Sequence, residues 1–190
     1  MKTRVSLLQV DLRAELPGGW RATLSPEEVW KAEGMPSAMR KQEFVACRAA
    51  LREYLAAQLG LEATRVPIVL DPLGKPRLLA PNGPHFSISH SGDIGLIAVC
   101  DSAPLGVDIE ELRGFPEVSE LGGGSLREFF ESWTRMEAIA KATGLGLLGA
   151  DQADEHATAM RLVRLETAEG YTGYLAVTAP GEVDLSLCVL

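Results

Sequence analysis

Apolar and polar positions follow two periods along this chain, and the switches between them outline its elements. Val5-Ser6-Leu7-Leu8-Gln9-Val10 reads as an opening strand. Ser25-Pro26-Glu27-Glu28 is a helix start, with Ser25 as N-cap, Pro26 at the first helical position and Glu28 completing a capping box. From about Gln42 to Leu59, Phe44, Ala49, Leu51, Leu55 and Leu59 fall near one side of a long helix that Gly60 stops. Val66 to Leu70 suggests a strand, ended by the turn around Asp71-Pro72-Leu73-Gly74. Phe86 to Ser89 and Ile94 to Cys100 look like paired strands joined through Ser91-Gly92-Asp93, and Leu105 to Ile109 is a further strand. After Glu110 come Gly114, Pro116 and Leu121-Gly122-Gly123-Gly124-Ser125, a composition that favours a flexible loop. A helix resumes at about Leu126, reaches Lys141 and stops near Gly144. The tail offers strands at Met160 to Glu166, Tyr171 to Val177 and Val183 to Val189.

No tandem repeat is visible, yet each half reads as a helix followed by strands, with a boundary near Ala103-Pro104. A chain of 190 residues can bury one core or two small ones. Composition refines this picture only by exclusion. Met1 to Val10 has no apolar run fit for a signal peptide, and no stretch approaches the roughly 18 apolar residues of a membrane span. Cys47, Cys100 and Cys188 lack metal-ligand spacing and cannot all pair, so they read as small buried residues of a protein in a reducing cytoplasm. The net charge of −8 argues against a nucleic-acid binder. Its distribution says more. Lys31, Arg40, Lys41, Arg48 and Arg52 lie in one early stretch, while Asp108, Glu110, Glu111, Glu117, Glu120, Glu128, Glu131 and Glu137 crowd a later one. The pattern fits either two ordinary amphipathic surfaces or a cationic region for phosphates beside a carboxylate region for metal.

Two segments carry the candidate chemistry. In Gly106-Val107-Asp108-Ile109-Glu110, a strand places Asp108 and Glu110 on one face and Val107 and Ile109 on the other. In Trp133-Thr134-Arg135-Met136-Glu137-Ala138-Ile139-Ala140-Lys141, a helix puts Glu137 and Lys141 on a shared face. Three carboxylates near one lysine suit Mg²⁺, which prefers oxygen ligands and shares its coordination with substrate phosphates. Taken alone, an Asp-x-Glu pair is more often a solvated strand face.

Together these segments resemble the 4′-phosphopantetheinyl transferases, in particular the surfactin-synthetase-activating type. Gly74-Lys75-Pro76 and Phe86-Ser87-Ile88-Ser89-His90-Ser91-Gly92 extend the resemblance upstream, so that four motifs stand in order between about positions 74 and 146. The resemblance implies an α+β fold of two pseudo-symmetric α/β halves meeting at a cleft, with residues 1–103 and 104–190 as the halves. It implies transfer of the 4′-phosphopantetheine arm of coenzyme A to a serine of an apo acyl or peptidyl carrier protein, with release of 3′,5′-ADP by a cytoplasmic monomer. By the same resemblance Lys75, Ser89, His90, Lys141 and Arg48 would contact coenzyme A. Asp108, Glu110 and Glu137 would hold Mg²⁺, with Glu137 as base and Lys141 as a point charge on the phosphates. Arg52 shares the helix face of Arg48, and either arginine could instead only solvate the surface. Trp133 is expected in the core.

Two departures qualify the transfer of function. Met136 stands where the family carries a lysine, and a thioether supplies neither charge nor donor. If that ammonium is missed, Met136→Lys should raise kcat about tenfold. The segment between Glu110 and Trp133 is short and glycine-rich where the family has an additional helix. These departures leave a rival reading, a catalytically weakened paralogue that binds coenzyme A or a carrier protein. The carboxylates alone would also serve another Mg²⁺-dependent phosphate enzyme such as a pyrophosphatase.

Overall fold

The computed structural model describes residues 2–16, 18–113, 125–144 and 160–190. Its described residues form an α+β fold. In chain order the elements are β1 (Thr3–Asp11), α1 (Pro26–Glu33), α2 (Ala38–Leu59), β2 (Ile68–Leu70), β3 (Pro76–Leu78), β4 (His85–Ser91), β5 (Ile94–Cys100), β6 (Leu105–Glu111), α3 (Leu126–Thr143), β7 (Arg161–Arg164), β8 (Tyr171–Val177) and β9 (Val183–Val189). Residues 114–124, which include the expected glycine-rich loop from Gly114 and Pro116 to Gly124, lie outside the described residues.

Local chemistry accounts for the helix boundaries. The Ser25 hydroxyl accepts from the Glu28 N–H while the Glu28 carboxylate accepts from the Ser25 N–H, closing the expected capping box of α1. α2 starts at Ala38, ahead of the expected Gln42, because Ser37 caps it through the Arg40 N–H. It ends at Gly60, whose φ of 66° is the left-handed conformation that glycine adopts without steric cost. Ser125 and Glu128 repeat the capping box at the head of α3.

Two sheets pack face to face between helices. The first has the order β4-β5-β1-β9, antiparallel except for the parallel pair β1–β9. The second, β6-β8-β7, is antiparallel throughout. Val5, Leu7, Leu96 and Ala98 of the first sheet meet Leu105, Val107, Ile109 and Leu175 of the second in one core. The opposite face of the first sheet is covered by α2, through Cys47, Leu51 and Leu55 against Leu8, Ile97 and Val99. The outer face of the second sheet is covered by α3, through Ala138, Ile139 and Ala142 against Ala176. The layers therefore run helix, sheet, sheet, helix. Truncating a fully buried residue such as Leu51 or Leu55 to alanine costs about 2–5 kcal/mol. β2 and β3 form a separate hairpin beside these layers.

The close approach of α3 to β6 depends on Gly106. A Cβ there would lie 2.0 Å from the Ala138 carbonyl oxygen and 2.5 Å from the Ala142 nitrogen. This glycine sets how near the helix carboxylates come to the strand carboxylates. Among the described residues no helix is long and apolar enough to cross a membrane.

The expectation that all three cysteines are buried is corrected. Cys47 and Cys100 are buried and Cys188 is exposed, because β9 is the edge of its sheet. Burial pushes the Cys47 thiol up to about 12.

Candidate active site

β6 runs along the edge of the second sheet, so one side of its backbone has no strand partner there. Three serines of β4 fill that role. Ser87, Ser89 and Ser91 alternate along β4 on the face paired with Ala98, Leu96 and Ile94, which is the face turned toward the second sheet. Their hydroxyls accept from the N–H groups of Val107 (3.1 Å), Ile109 (3.4 Å) and Glu111 (3.1 Å). Two of them also donate. Ser89 Oγ lies 2.7 Å from Asp108 Oδ1, and Ser91 Oγ lies 2.7 Å from Glu110 Oε2.

Asp108 is 3% exposed. Its Oδ1 also receives Lys141 Nζ at 2.6 Å, and that ammonium reaches Ser89 Oγ at 3.2 Å and the Val107 carbonyl at 3.3 Å. Asp108 Oδ2 is buried with no hydrogen-bond partner. Glu110 is held above the ordinary carboxylate value first by burial, with the Ser91 hydrogen bond acting against it and the Asp108 charge adding to it. Burial likewise raises Glu137; Lys141 opposes the shift, while Asp108 and Glu110 reinforce it. Strand and helix thus bring the charges of Asp108, Glu110, Glu137 and Lys141 within mutual influence.

An excess of carboxylate charge and one orphaned buried oxygen are features of a site that would accept a hard cation. The donor set fits Mg²⁺ in kind. As the side chains lie, Lys141 occupies one oxygen of Asp108, and among the described residues no three His, Cys, Asp or Glu side chains are gathered closely enough to hold an ion.

A trough leads away from this cluster. A cleft of about 280 Å³ has Lys75, Phe86, Ala140 and Lys141 in its walls. A neighbouring cleft of about 530 Å³ is lined by Lys31, Arg40, Glu43, Arg48 and His90, and the two share Gly74, Pro76 and Ile88. Lys31, Arg40 and Arg48 from the early basic stretch therefore meet in one place. Lys41 does not; its ammonium sits 5.4 Å from the centre of the Trp20 ring.

The remaining candidates separate clearly. His90 faces the larger cleft, its side chain 43% exposed, with Nδ1 3.8 Å from Glu43 Oε2. Lys75 Nζ donates to the Lys141 carbonyl, pinning the turn before β3 to the end of α3. Its pKa is lowered first by burial, with Asp71 opposing and Lys141 reinforcing that shift. Arg48 is 7% exposed and has Nε 3.3 Å from Glu28 Oε1, while its Nε and Nη1 have no hydrogen-bond partner. Arg52 is 1% exposed and bonds Glu28 and the carbonyls of Ala63 and Val66. Surface solvation is thus excluded for both arginines, and Arg52 serves to hold α2 against the segment that follows it. Trp133, expected in the core, is half-buried. Met136 is half-buried against the cluster of Ala138, Ile139, Ala142 and Ala176, beside Leu162 and Tyr174. The roles of Ser87, Ser91, Glu28 and Glu43 go beyond the sequence reading. The signal for the serines is present as Ser-x-Ser-x-Ser on a strand.

No protein-family model matches the chain. Individual proteins do. A Synechocystis protein, provisionally named as a 4′-phosphopantetheinyl transferase, is 33% identical over 150 residues, 69% of this chain and 61% of the relative. A 4′-phosphopantetheinyl transferase of Nostoc, HetI, is 30% identical over 171 residues, covering 80% of this chain and 72% of the relative. A 4′-phosphopantetheinyl transferase of Bacillus subtilis is 29% identical over 112 residues, about half of each chain. With that similarity spread across most of the Nostoc protein, the chain belongs to the 4′-phosphopantetheinyl transferases, a family of enzymes.

Proposed function

We propose that this protein moves the 4′-phosphopantetheine arm of coenzyme A onto a serine of an apo carrier protein, in a Mg²⁺-dependent reaction. One observation carries the reading: a trough walled by Lys31, Arg40, Arg48 and Lys75 ends at Lys141, which is also bonded to the carboxylate cluster. A polyanion lying in that trough would have its phosphates beside the carboxylates. Lys31, Arg40, Arg48, His90 and Lys75 receive the 3′-phosphorylated nucleotide end, with Ser89 nearer the pyrophosphate. Lys141 turns from Asp108 toward the phosphates as a point charge. The metal would be held by Asp108, Glu110 and Glu137. When bound, it supplies positive charge that offsets the negative charge of the pyrophosphate oxygens.

The carrier serine oxygen forms a bond to the phosphorus that bears the pantetheine arm. The bond from that phosphorus to the bridging oxygen breaks, and 3′,5′-ADP leaves with the electron pair. The serine proton passes to Glu137. No covalent intermediate on the protein is required. The full reading is an enzyme of the surfactin-synthetase-activating type, acting as a cytoplasmic monomer of two related halves divided near residue 103. The three free cysteines agree with a reducing compartment.

The test is direct. The protein is incubated with coenzyme A, Mg²⁺ and a panel of apo carriers, and the carriers are weighed by mass spectrometry. Each modified carrier should gain one phosphopantetheine, and chelation of the metal should stop the gain. A second reading, a protein that binds coenzyme A or a carrier without efficient transfer, rests on Met136. It is favoured if coenzyme A binds and no carrier gains mass.

A further inference from the structure

Ser91 stands apart from the other two serines of β4. All three hydroxyls accept from β6 backbone N–H groups, so all three join the two sheets. Ser87 bonds the Val107 N–H and no carboxylate, and Ser89 shares Asp108 Oδ1 with Lys141. Ser91 Oγ instead accepts from the Glu111 N–H and gives its single proton to Glu110 Oε2 at 2.7 Å. A hydroxyl has one proton and two lone pairs; the Glu111 N–H takes a lone pair, and the Glu110 carboxylate oxygen can only accept. The proton is therefore directed at Glu110.

Glu110 lies near the end of β6, where a long side chain has several rotamers open to it. The ladder partner across β8, Thr172, has a buried hydroxyl with no hydrogen-bond partner, so it does not hold Glu110. Gly92 adds rigidity on the other side. Its φ is 56°, and a Cβ there would lie 2.6 Å from both Glu111 Oε2 and Tyr171 Oη. Tyr171 Oη in turn accepts from the Asp93 N–H at 3.1 Å. The turn that follows Ser91 is thereby pressed against the end of β6, and a hydroxyl that swung away would break its bonds with the Glu111 N–H and with Glu110.

We propose that Ser91 is a positioning residue: it fixes one oxygen of Glu110 from the opposite sheet so that the other oxygen faces the cation. This rests on the reading of Asp108, Glu110 and Glu137 as the Mg²⁺ ligands. Hydrogen-bond partners of ligating carboxylates commonly alter metal affinity tenfold or more when removed.

The experiment measures Mg²⁺ binding by calorimetry in the presence of coenzyme A, alongside thermal melting. The proteins are the wild type, Ser91→Ala, Ser91→Cys, Ser91→Thr and Ser87→Ala. Ser91→Ala and Ser91→Cys should weaken Mg²⁺ binding about tenfold, and Ser91→Thr should restore it. Ser87→Ala removes a bond between the sheets without touching a carboxylate, so it should lower the melting temperature and leave Mg²⁺ affinity unchanged. If Ser91→Ala does not fold, Ser91→Cys decides, being of similar size with a poor donor. Unchanged affinity in the folded Ser91 variants overturns the proposal. So does an equal loss in Ser87→Ala, which would make the effect one of sheet joining, or the absence of Mg²⁺ binding by the wild type. Failure of the transferase reading looks different: Ser91→Ala would still lose Mg²⁺ affinity and Ser87→Ala would keep it, yet no carrier would gain mass.

Discussion

Lys141 Nζ lies 2.6 Å from Asp108 Oδ1, and the same ammonium also meets Ser89 Oγ and the Val107 carbonyl. One lysine of α3 thus neutralises a carboxylate of β6 that is buried at 3% exposure. The pair gives the site two properties at once. It stabilises the junction of helix and strand, and it places the positive charge where a phosphate or a metal would compete for either partner.

Removing Asp108 should therefore do more than abolish chemistry. Asp108→Ala is expected to lower transfer about 10³-fold and also to destabilise the fold, because Lys141 is left over a carbonyl without its counter-ion. Lys141 keeps 27% of its side chain exposed, so the loss should be about 2 kcal/mol rather than the roughly 3–5 of a sealed pair. Asp108→Asn keeps an acceptor for Ser89 and should lose transfer with a smaller fall in melting temperature. Transfer is measured at limiting Mg²⁺ and stability by denaturant titration. Unchanged transfer in both variants would remove Asp108 from the site.

Glu137 offers a test that needs no substrate. Burial lifts its carboxyl above the ordinary 4.5, and the charges of Asp108 and Glu110 add to the shift. A raised acid binds more protons folded than unfolded, so its ionisation lowers stability as pH rises through the window above 4.5. Without Mg²⁺, Glu137→Gln should melt higher than the wild type at pH 7, and the gap should close as pH falls below that window. Added Mg²⁺ should raise the wild type more than the variant. A wild type at least as stable as Glu137→Gln at pH 7 without metal would contradict the crowding of the three carboxylates.

The strand period of Val107, Asp108, Ile109 and Glu110 and the helix period of Glu137 and Lys141 were legible because each is local. Capping at Ser25 and the stops at Gly60 and Gly144 follow from single side chains or their absence, whereas Ser125, read as the end of the loop, is the N-cap of α3. What covers a face is not local. The Ser87-Ser89-Ser91 alternation shows which face the serines share, yet nothing in it says that the edge of β6 lies there. The parallel pairing of β9 with β1 joins the two ends of the chain and leaves no periodic trace. β3 is only Pro76–Leu78, too short for a pattern. Arg48 and Arg52 look alike on a helix face, and their difference comes from where Ala63 and Val66 turn their carbonyls.

Lys75 has two candidate duties that one ligand pair separates. Its ammonium is bonded to the Lys141 carbonyl and also lines the smaller cleft. If it meets the 3′-phosphate, Lys75→Ala should weaken coenzyme A about tenfold and dephospho-coenzyme A much less, since the latter lacks that phosphate; tenfold corresponds to about 1.4 kcal/mol. Calorimetry with both ligands checks this. Equal losses would assign Lys75 to holding the end of α3 instead.

Met136 is where this chain parts from its family, and its packing changes what a lysine there should do. On sequence alone, restoring an ammonium is expected to raise kcat about tenfold, or about 1.4 kcal/mol. The thioether, however, is half-buried against Ala138, Ile139, Ala142 and Ala176, with Leu162 and Tyr174 beside it. On the helix it points about 100° away from Glu137 and about 140° from Lys141. A lysine at 136 must either carry its charge into that apolar cluster or extend out of it, giving up contacts in both cases. Met136→Lys should therefore cost about 1 kcal/mol of stability, a fall of about 2–4 °C in melting temperature for a chain of this size. Its kcat should stay within about twofold of the wild type, because Lys141 already supplies the ammonium at the carboxylates. Met136→Leu, which conserves volume, should leave both quantities nearly unchanged. A tenfold gain in kcat for Met136→Lys would show instead that the site lacks a charge and that position 136 can deliver it.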